Sequence, residues 1–315
     1  MANGDVMQQG SVRRYAVFGV NGYLGSHCAH VLCQQGHLVK GYDVQPECSV
    51  QSLSYESLDV TQPEAWGKFD SRVDCIFFFS GLTGTYQGFE QAQRFLHANE
   101  GGLLFLLETL RKSGATAKVV FPSTRLVYQG SEALLTEDAP KETKTVYAVN
   151  KMACEGYLRA YQNSFDLNYT VFRICLPYGS LFEKATSYGT VGFFMRTAQS
   201  GRAITLYGDG SQRRTVTHVL DICQQVICAG HLAGTNGCVF NIGGEHYSVR
   251  DIAGLIARKY GVGVEYRDFP DADRRLESGT TLFDDTRLRR ASGYVRQHSF
   301  EAWLEQVRDE RDSVG

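Results

Sequence analysis

The first half of this 315-residue chain alternates short apolar runs with segments of helical periodicity. The apolar runs predict strands at residues 15–20, 38–43, 73–80, 118–122 and 168–174. Patterns that predict helices lie between them, at residues 23–35, 89–112 and 146–162. Continuous apolar strands connected by helices are typical of a parallel sheet that is covered on both faces. We therefore predict an α/β fold with a doubly wound, Rossmann-type dinucleotide-binding domain.

The second half is less regular and predicts a smaller α/β cap that binds the substrate. Its helical patterns occupy residues 189–200, 219–232, 249–260 and 300–311, and its strand patterns occupy residues 203–206, 238–242 and 264–269. We assign residues 12–175, together with about 216–243, to the dinucleotide-binding domain. Residues 176–215 and 244–311 are assigned to the cap.

Composition excludes several classes of function. Hydrophobic residues make up 43% of the chain and charged residues 21%, which is ordinary for a soluble globular protein. The net charge of −2 gives no basic surface for nucleic acid or acidic membranes. No apolar run is long enough to span a membrane, and the polar first eleven residues do not resemble a secretory signal. Nine cysteines without a Cys-x-x-Cys pair predict buried free thiols, a cytoplasmic location and no metal site.

A glycine-rich turn follows the first predicted strand and opens a helix. Its spacing is G-x-x-G-x-x-G. Glycines at such a turn permit a tight bend and allow a pyrophosphate to approach the N-terminus of the helix. We predict cofactor contacts from the turn residues Gly19, Asn21, Gly22, Tyr23, Leu24 and Gly25.

Asp43 ends the second predicted strand, eighteen residues after Gly25. A carboxylate at this position accepts hydrogen bonds from the ribose hydroxyls of NAD and repels the 2′-phosphate of NADP. NAD is therefore the favoured cofactor, with NADP as the alternative. Asp59 and Val60 follow a further short strand and are placed to border the adenine.

Tyr147 and Lys151 are four residues apart, so they lie on one face of the predicted helix. The pKa of a free tyrosine is near 10, and a neighbouring ammonium group lowers it. Such a pair can therefore exchange a proton with a substrate.

With these motifs in this order, the chain resembles the extended short-chain dehydrogenase/reductase family, in its branch of nucleotide-sugar epimerases, dehydratases and 4-ketoreductases. Further matching segments occupy residues 97–102, 121–128, 173–179 and 207–214. The resemblance implies that Tyr147 exchanges a proton with the sugar oxygen. It also implies that Lys151 lowers the pKa of Tyr147 and holds the nicotinamide ribose, and that Thr124 hydrogen-bonds the reacting oxygen.

The resemblance implies further binding residues and a partner. Additional cofactor contacts are expected from Ser80, Gly81, Asn99 and Ser123. A nucleotide-sugar substrate is expected to contact Thr83, Thr124, Arg125, Phe193, Tyr207, Arg214 and Arg275. Of these, Arg214 and Arg275 are candidates for the diphosphate, because a guanidinium group binds phosphate oxygens in a bidentate manner. A homodimer is expected through helices 89–112 and 146–162, the first of which carries Leu103, Leu106, Leu107 and Leu110.

The residues after Thr124 bear on which reaction of this family the chain catalyses. Dehydratases of this family carry an Asp-Glu pair there, which supplies an acid and a base, whereas this chain has Arg125 and Leu126. The preferred interpretation is an NAD(P)H-dependent reductase that delivers hydride to C4 of a nucleotide-activated 4-keto-6-deoxyhexose, of the dTDP-4-keto-6-deoxyglucose type, with Tyr147 as proton donor. Such a reductase serves deoxysugar and O-antigen polysaccharide biosynthesis.

Two alternatives remain open. The first is an NAD-retaining nucleotide-sugar 4-epimerase of the UDP-hexose type, although loop 81–88 lacks a lysine that such epimerases often carry. The second is a non-catalytic protein that senses the dinucleotide or acts as a scaffold. Retention of Thr124, Tyr147 and Lys151 favours an enzyme over this second alternative.

Overall fold

The computed structural model describes residues 11–182 and 187–307. The strands are β1 Arg14–Phe18, β2 Leu38–Asp43, β3 Ser54–Ser57, β4 Cys75–Phe78, β5 Lys118–Thr124, β6 Ser131–Leu135, β7 Tyr169–Ile174, β8 Leu176–Tyr178, β9 Ile204–Tyr207, β10 Arg213–His218, β11 Cys238–Asn241, β12 Glu245–Ser248, β13 Val264–Arg267 and β14 Thr281–Phe283. The α-helices are α1 Tyr23–Gln34, α2 Tyr86–Glu90, α3 Ala92–Phe95, α4 Gly102–Ser113, α5 Val146–Phe165, α6 Gly189–Gln199, α7 Val219–His231, α8 Val249–Tyr260, α9 Asp271–Leu276, α10 Thr286–Ser292 and α11 Phe300–Gln306. Residues 308–311 of the predicted last helix lie outside the described residues.

A seven-stranded parallel sheet is built mainly from the first half of the chain, with β11 added from the second half. Its strand order is β11-β7-β5-β4-β1-β2-β3. The connections run outwards in opposite directions from β1, towards β2 on one side and towards β4 on the other. A crevice therefore opens at the carboxyl ends of the strands beside β1, which is where doubly wound folds bind their ligands. This order confirms the predicted fold class.

Both faces of this sheet are buried. Val17 and Phe77 belong to a core that includes residues of α1 and α7 on one face. Phe18 and Phe78 belong to a second core, with residues of α4 and α5, on the other face. Successive strand residues point to opposite faces, so a strand covered on both sides needs apolar residues throughout. This burial explains the uninterrupted apolar runs of the sequence.

A second, mixed sheet forms beyond the carboxyl end of β7. Its order is β12-β10-β14-β6, and β8 also pairs with β10. A two-stranded sheet of β9 and β13 lies with it, and residues of α6, α8 and α11 complete a third core.

Sequence patterns did not predict β6, β8, β10, β12 or β14. These strands are only three to six residues long, and β10 begins with two arginines, so their hydrophobic pattern is weak.

The predicted helix 89–112 is interrupted in the structure. It consists of α2, α3, a π-helical turn at Leu96–Gly101 and α4. The Asn99 side chain of this turn binds both backbone groups of Leu82, accepting from its N–H at 2.6 Å and donating to its carbonyl oxygen at 3.1 Å. π-Helical turns are frequent at functional sites. This turn therefore holds the loop after β4 rather than simply extending the helix.

The leucines proposed for the dimer contact are part of the protomer core. Leu103, Leu106, Leu107 and Leu110 are fully buried against the large sheet. They are unavailable to a second chain, and the homodimer stays a prediction. No helix within residues 11–182 and 187–307 has the length and apolar character needed to cross a membrane.

Candidate active site

The glycine turn after β1 lies against the loop after β4. Gly19 has a positive φ of 74°, and a Cβ atom there would lie 2.7 Å from the backbone nitrogen of Ser80. A Cβ atom on Gly25 would overlap the carbonyl oxygen of Gly19. Side chains are therefore excluded at both positions, and the N-terminus of α1 remains open towards the crevice. An open helix N-terminus of this kind favours a bound pyrophosphate.

A cavity of about 920 Å³ lies beyond the ends of β1 and β2. It is lined by the predicted cofactor residues Gly19, Asn21, Gly22, Asp43, Asp59, Val60, Ser80 and Gly81. The Asp43 carboxylate accepts backbone hydrogen bonds from Asn21 at 3.1 Å and from Gln45 at 3.3 Å, which fix it at the cavity wall. These features fit the adenosine and pyrophosphate of NAD.

Sequence analysis did not predict some of the residues that line this cavity. Gln45, Thr61, Arg94 and His97 also line it. Arg94 and His97 lie shortly before Asn99 on the segment that was predicted as one long helix. His97 lies in the π-helical turn itself, and the hydrophobic pattern gives no signal for such a turn.

A second cavity, of about 720 Å³, continues from the first. The two share the lining residues Gly19, Gly22, Phe79, Gly81 and Leu82, so they form one trough. The second part, here called the catalytic cavity, is lined by the predicted site residues Tyr23, Leu24, Gly25, Thr83, Ser123, Thr124, Tyr147 and Lys151. The structure therefore brings the three predicted catalytic residues together at one end of the glycine turn.

Helix α5 positions the tyrosine and the lysine. Thr145 caps the helix, with its hydroxyl oxygen accepting from the N–H of Ala148 at 3.1 Å. Lys151 is 6% exposed, and its Nζ lies 4.3 Å from the ring centre of Phe121 and 5.7 Å from that of Tyr147. Both aromatic faces attract the ammonium group. The pair thus occupies the first two turns of one helix, as its spacing predicts.

Burial governs the ionisation of both groups. It lowers the pKa of Lys151 to about 8 and raises the pKa of Tyr147 above its ordinary value. Burial is the largest cause of the raised pKa of Tyr147, followed by the neighbouring Tyr188 and Cys154. Tyr147 is therefore protonated at neutral pH.

Ser123 and Thr124 are the last two residues of strand β5, and their hydroxyl groups have different hydrogen-bond partners. The Thr124 hydroxyl oxygen accepts from the N–H of Leu126 at 3.3 Å, which leaves its own O–H available to a ligand. The Ser123 hydroxyl instead donates to Glu155 at 2.5 Å, and Glu155 forms a 2.6 Å ion pair with Arg173. The Ser123 hydroxyl is therefore already engaged at the end of β5, while Ser123 itself lines the catalytic cavity, and its contact with the cofactor stays a prediction. Asn99 likewise acts on loop 81–82 and does not line either part of the trough.

The predicted substrate residues of the cap are not brought together. Arg214 is 4% exposed, and its guanidinium donates to Glu277 at 2.6 Å and to the carbonyl oxygens of Arg213 and Gly279. These groups already occupy the Arg214 guanidinium, and its role as a diphosphate ligand stays a prediction. Arg275, Phe193 and Tyr207 are exposed and line neither described cavity, and Arg125 does not line them either.

A cation that the sequence did not indicate does line the catalytic cavity. Arg196 of α6 lies there beside Tyr188, whose hydroxyl is 2.7 Å from the hydroxyl of Thr83. The helical pattern of α6 identified the element, but not which of its polar residues faces the cavity.

Comparison with known proteins agrees with this site. Residues 15–243 match the NAD dependent epimerase/dehydratase family. The chain is 27% identical over 296 residues to a UDP-glucose 4-epimerase of Mycolicibacterium smegmatis, covering 90% of this chain and 94% of the relative. It is 24% identical over 314 residues to a UDP-glucuronate 4-epimerase of Thermodesulfobacterium geofontis, and the match covers 93% of this chain and 94% of that relative.

A solved structure shows the same fold. The UDP-glucose 4-epimerase of Thermus thermophilus in complex with NAD superposes with a TM-score of 0.81 at 24% identity, over 93% of this chain and 97% of that one. The family match spans well over half of the chain, including the glycine turn, Thr124, Tyr147 and Lys151. The protein is therefore a member of the NAD-dependent epimerase/dehydratase family, an NAD-using enzyme of the extended short-chain dehydrogenase/reductase type.

Proposed function

We propose that this protein is a nucleotide-sugar 4-epimerase that retains its NAD. One observation carries the proposal: the described residues that line the catalytic cavity include no aspartate, glutamate or histidine. Tyr147, with Lys151 beside it, is left as the proton-exchanging group next to Thr124. Loss of water, or epimerisation at C3 or C5, needs a second acid or base. Epimerisation at C4 needs one group that takes a proton and later returns it.

The relatives favour the epimerase over the reductase that we preferred from the sequence. Both the Mycolicibacterium and the Thermodesulfobacterium relatives are named as 4-epimerases and match nearly their whole length. Membership in this enzyme family, with Thr124, Tyr147 and Lys151 all in one cavity, gives no support to a non-catalytic scaffold.

The residues of the catalytic cavity have the following roles in this proposal. The residues along the trough would hold NAD, which when bound would supply the hydride acceptor and donor for C4 of the sugar. Tyr147 accepts the proton of the C4 hydroxyl and returns it to the same oxygen. Thr124 donates its O–H to that oxygen and orients it. The positive charge of Lys151, whose Nζ lies 5.7 Å from the ring centre of Tyr147, would favour the phenolate form of Tyr147.

The test uses the purified protein without added cofactor. We expect bound NAD in the isolated protein and conversion of UDP-glucose or UDP-glucuronate to the C4 epimer, followed by chromatography. Tyr147→Phe should retain NAD and lose epimerisation, because the variant cannot exchange the proton. Stoichiometric consumption of NADH with dTDP-4-keto-6-deoxyglucose, and no epimerisation, would establish the reductase instead.

A further inference from the structure

Tyr188, which directly precedes α6, contacts both walls of the trough. These walls are the glycine turn after β1 and the loop after β4, since residues of both segments line both parts of the trough. On the side of the turn, the Tyr188 ring stacks on Tyr23, with 5.1 Å between ring centres and 21° between ring planes. On the side of the loop, its hydroxyl lies 2.7 Å from the hydroxyl of Thr83. These two contacts, here called the Tyr188 bridge, therefore span the trough.

Hydrogen bonds hold the end of the bridge that lies at the glycine turn. The Tyr23 hydroxyl donates to the carbonyl oxygen of Gly179 at 2.7 Å, and the N–H of Gly179 donates to the Ser187 hydroxyl oxygen at 3.1 Å. Tyr23 and the residue before Tyr188 are thus tied to the same position, directly after β8. The aromatic stack is therefore fixed at this wall of the trough, and the contact with Thr83 is the end that can open.

The contact between Tyr188 and Thr83 is suited to opening. Both residues are exposed, so water can replace either partner of the hydrogen bond at little cost. Asn99 holds the loop at Leu82, but Thr83 is followed by Gly84, whose φ is 136°. Glycine changes its backbone conformation at lower cost than other residues. The Thr83 end of the loop can therefore move while the base of the loop stays in place.

We propose that the Tyr188 bridge closes the trough over bound NAD and sets the rate at which NAD leaves. This inference rests on the proposed function and deepens it, because a 4-epimerase must keep one NAD through both hydride transfers, whereas a reductase exchanges its cofactor in every turnover. After burial, Tyr188 is the next cause of the raised pKa of Tyr147, which places the bridge beside the catalytic tyrosine. Release of a dinucleotide from the trough then requires the bridge to open first, and such an opening step is slow compared with side-chain motion.

The test follows the release of NAD from the full chain. Protein loaded with NAD is freed of unbound cofactor and mixed with excess alcohol dehydrogenase and ethanol, so that released NAD is reduced to NADH and detected by fluorescence. Tyr188→Phe and Thr83→Val each remove the hydrogen bond, and each should speed release about threefold or more. Tyr188→Ala also removes the aromatic stack and should speed release about tenfold or more. Tyr266→Phe, at an exposed tyrosine of β13 that lines neither described cavity, is the control and should release NAD at the wild-type rate.

A double variant shows whether the two hydroxyls act through one contact. Thr83→Val combined with Tyr188→Phe should release NAD no faster than either single variant, since both substitutions remove the same hydrogen bond. Release at the product of the two single effects would overturn the bridge, because the two groups would then act separately. Thr83→Ser keeps the hydroxyl and should release NAD at the wild-type rate. Thermal unfolding of each variant shows whether a substitution disturbs the fold.

The outcomes separate this inference from the proposed function, because the release of NAD is measured without turnover. Faster release from Tyr188→Phe and Thr83→Val, with no further gain in the double variant, would support the bridge even if no sugar were epimerised. Absence of epimerisation would refute the proposed function alone. Release of NAD from Tyr188→Ala at the wild-type rate would overturn the bridge, even in a protein that proves to be a 4-epimerase.

Discussion

Acid should destabilise this protein through His218, a buried imidazole at the junction of β10 and α7. His218 is 5% exposed, and its Nδ1 accepts from the N–H of Leu220 at 3.3 Å, which caps α7. Its ring stacks on His298 at 4.3 Å between centres. Burial first, and then His298, lower the pKa of His218 to about 4; His27 lowers it further, while Asp221 acts in the opposite direction.

The sign and size of the effect follow from proton linkage. An unfolded histidine binds its proton near pH 6.5, whereas folded His218 does so only near pH 4. Between these values the unfolded state binds more protons, so stability falls as the pH falls. At about pH 5, such a shift lowers the free energy of unfolding by about 2 kcal/mol relative to about pH 7.5.

The assay compares urea unfolding of the wild type and His218→Asn at both pH values. Asparagine keeps an acceptor for the N-terminus of α7 but does not titrate. We expect the variant to lose about 2 kcal/mol less than the wild type between about pH 7.5 and pH 5. Any packing cost of the substitution is present at both pH values and cancels in the difference. Equal acid losses in the two proteins would refute this account of His218.

Two further substitutions test the glycine turn and the support beneath β5. Gly25→Ala should weaken NAD binding about tenfold or more in calorimetry, because its Cβ would overlap the Gly19 carbonyl. Gly156→Ala in α5 is the matched control: no atom lies within 4 Å, so NAD binding should persist while the free energy of unfolding rises by about 0.5–1 kcal/mol. Glu155→Gln should cost about 3 kcal/mol in urea unfolding, since Arg173 would then be buried beside a neutral partner. A cost below about 1 kcal/mol would contradict the importance of that pair.

The parts of the fold that the sequence predicted are those with strong local signals. Strands β1, β4, β5 and β7 are buried on both faces, so their apolar runs identify them. The turn at Gly19 and Gly25 needs glycine for reasons of backbone geometry alone. Tyr147 and Lys151 share one helix, where spacing determines which side chains lie together.

The contacts within the cap could not be predicted from the sequence, because they lack such local signals. The surroundings of Arg214 depend on Glu277 and Gly279, which are more than sixty residues away in the sequence and are joined to it only by the pairing of β10 with β14. Short strands that mix charged and apolar residues give no periodic signal from which such a pairing could be inferred. Sequence analysis also did not predict Arg196 as a cavity residue, because periodicity identifies the buried face of a helix but not which polar residue faces a ligand.

The two ends of the trough differ in charge, and this difference affects both the binding of a substrate and the proton exchange that can follow. The dinucleotide end has the carboxylates of Asp43 and Asp59, which suit hydroxyl and amine donors. The described residues lining the catalytic cavity carry cations, at Lys151 and Arg196, and no carboxylate. A substrate with several negative charges is therefore attracted to this end without repulsion from acidic side chains. Under the proposed function, the same absence of carboxylates assigns proton exchange to Tyr147, so one feature of the cavity suits both an anionic sugar nucleotide and a reversible change at a single carbon.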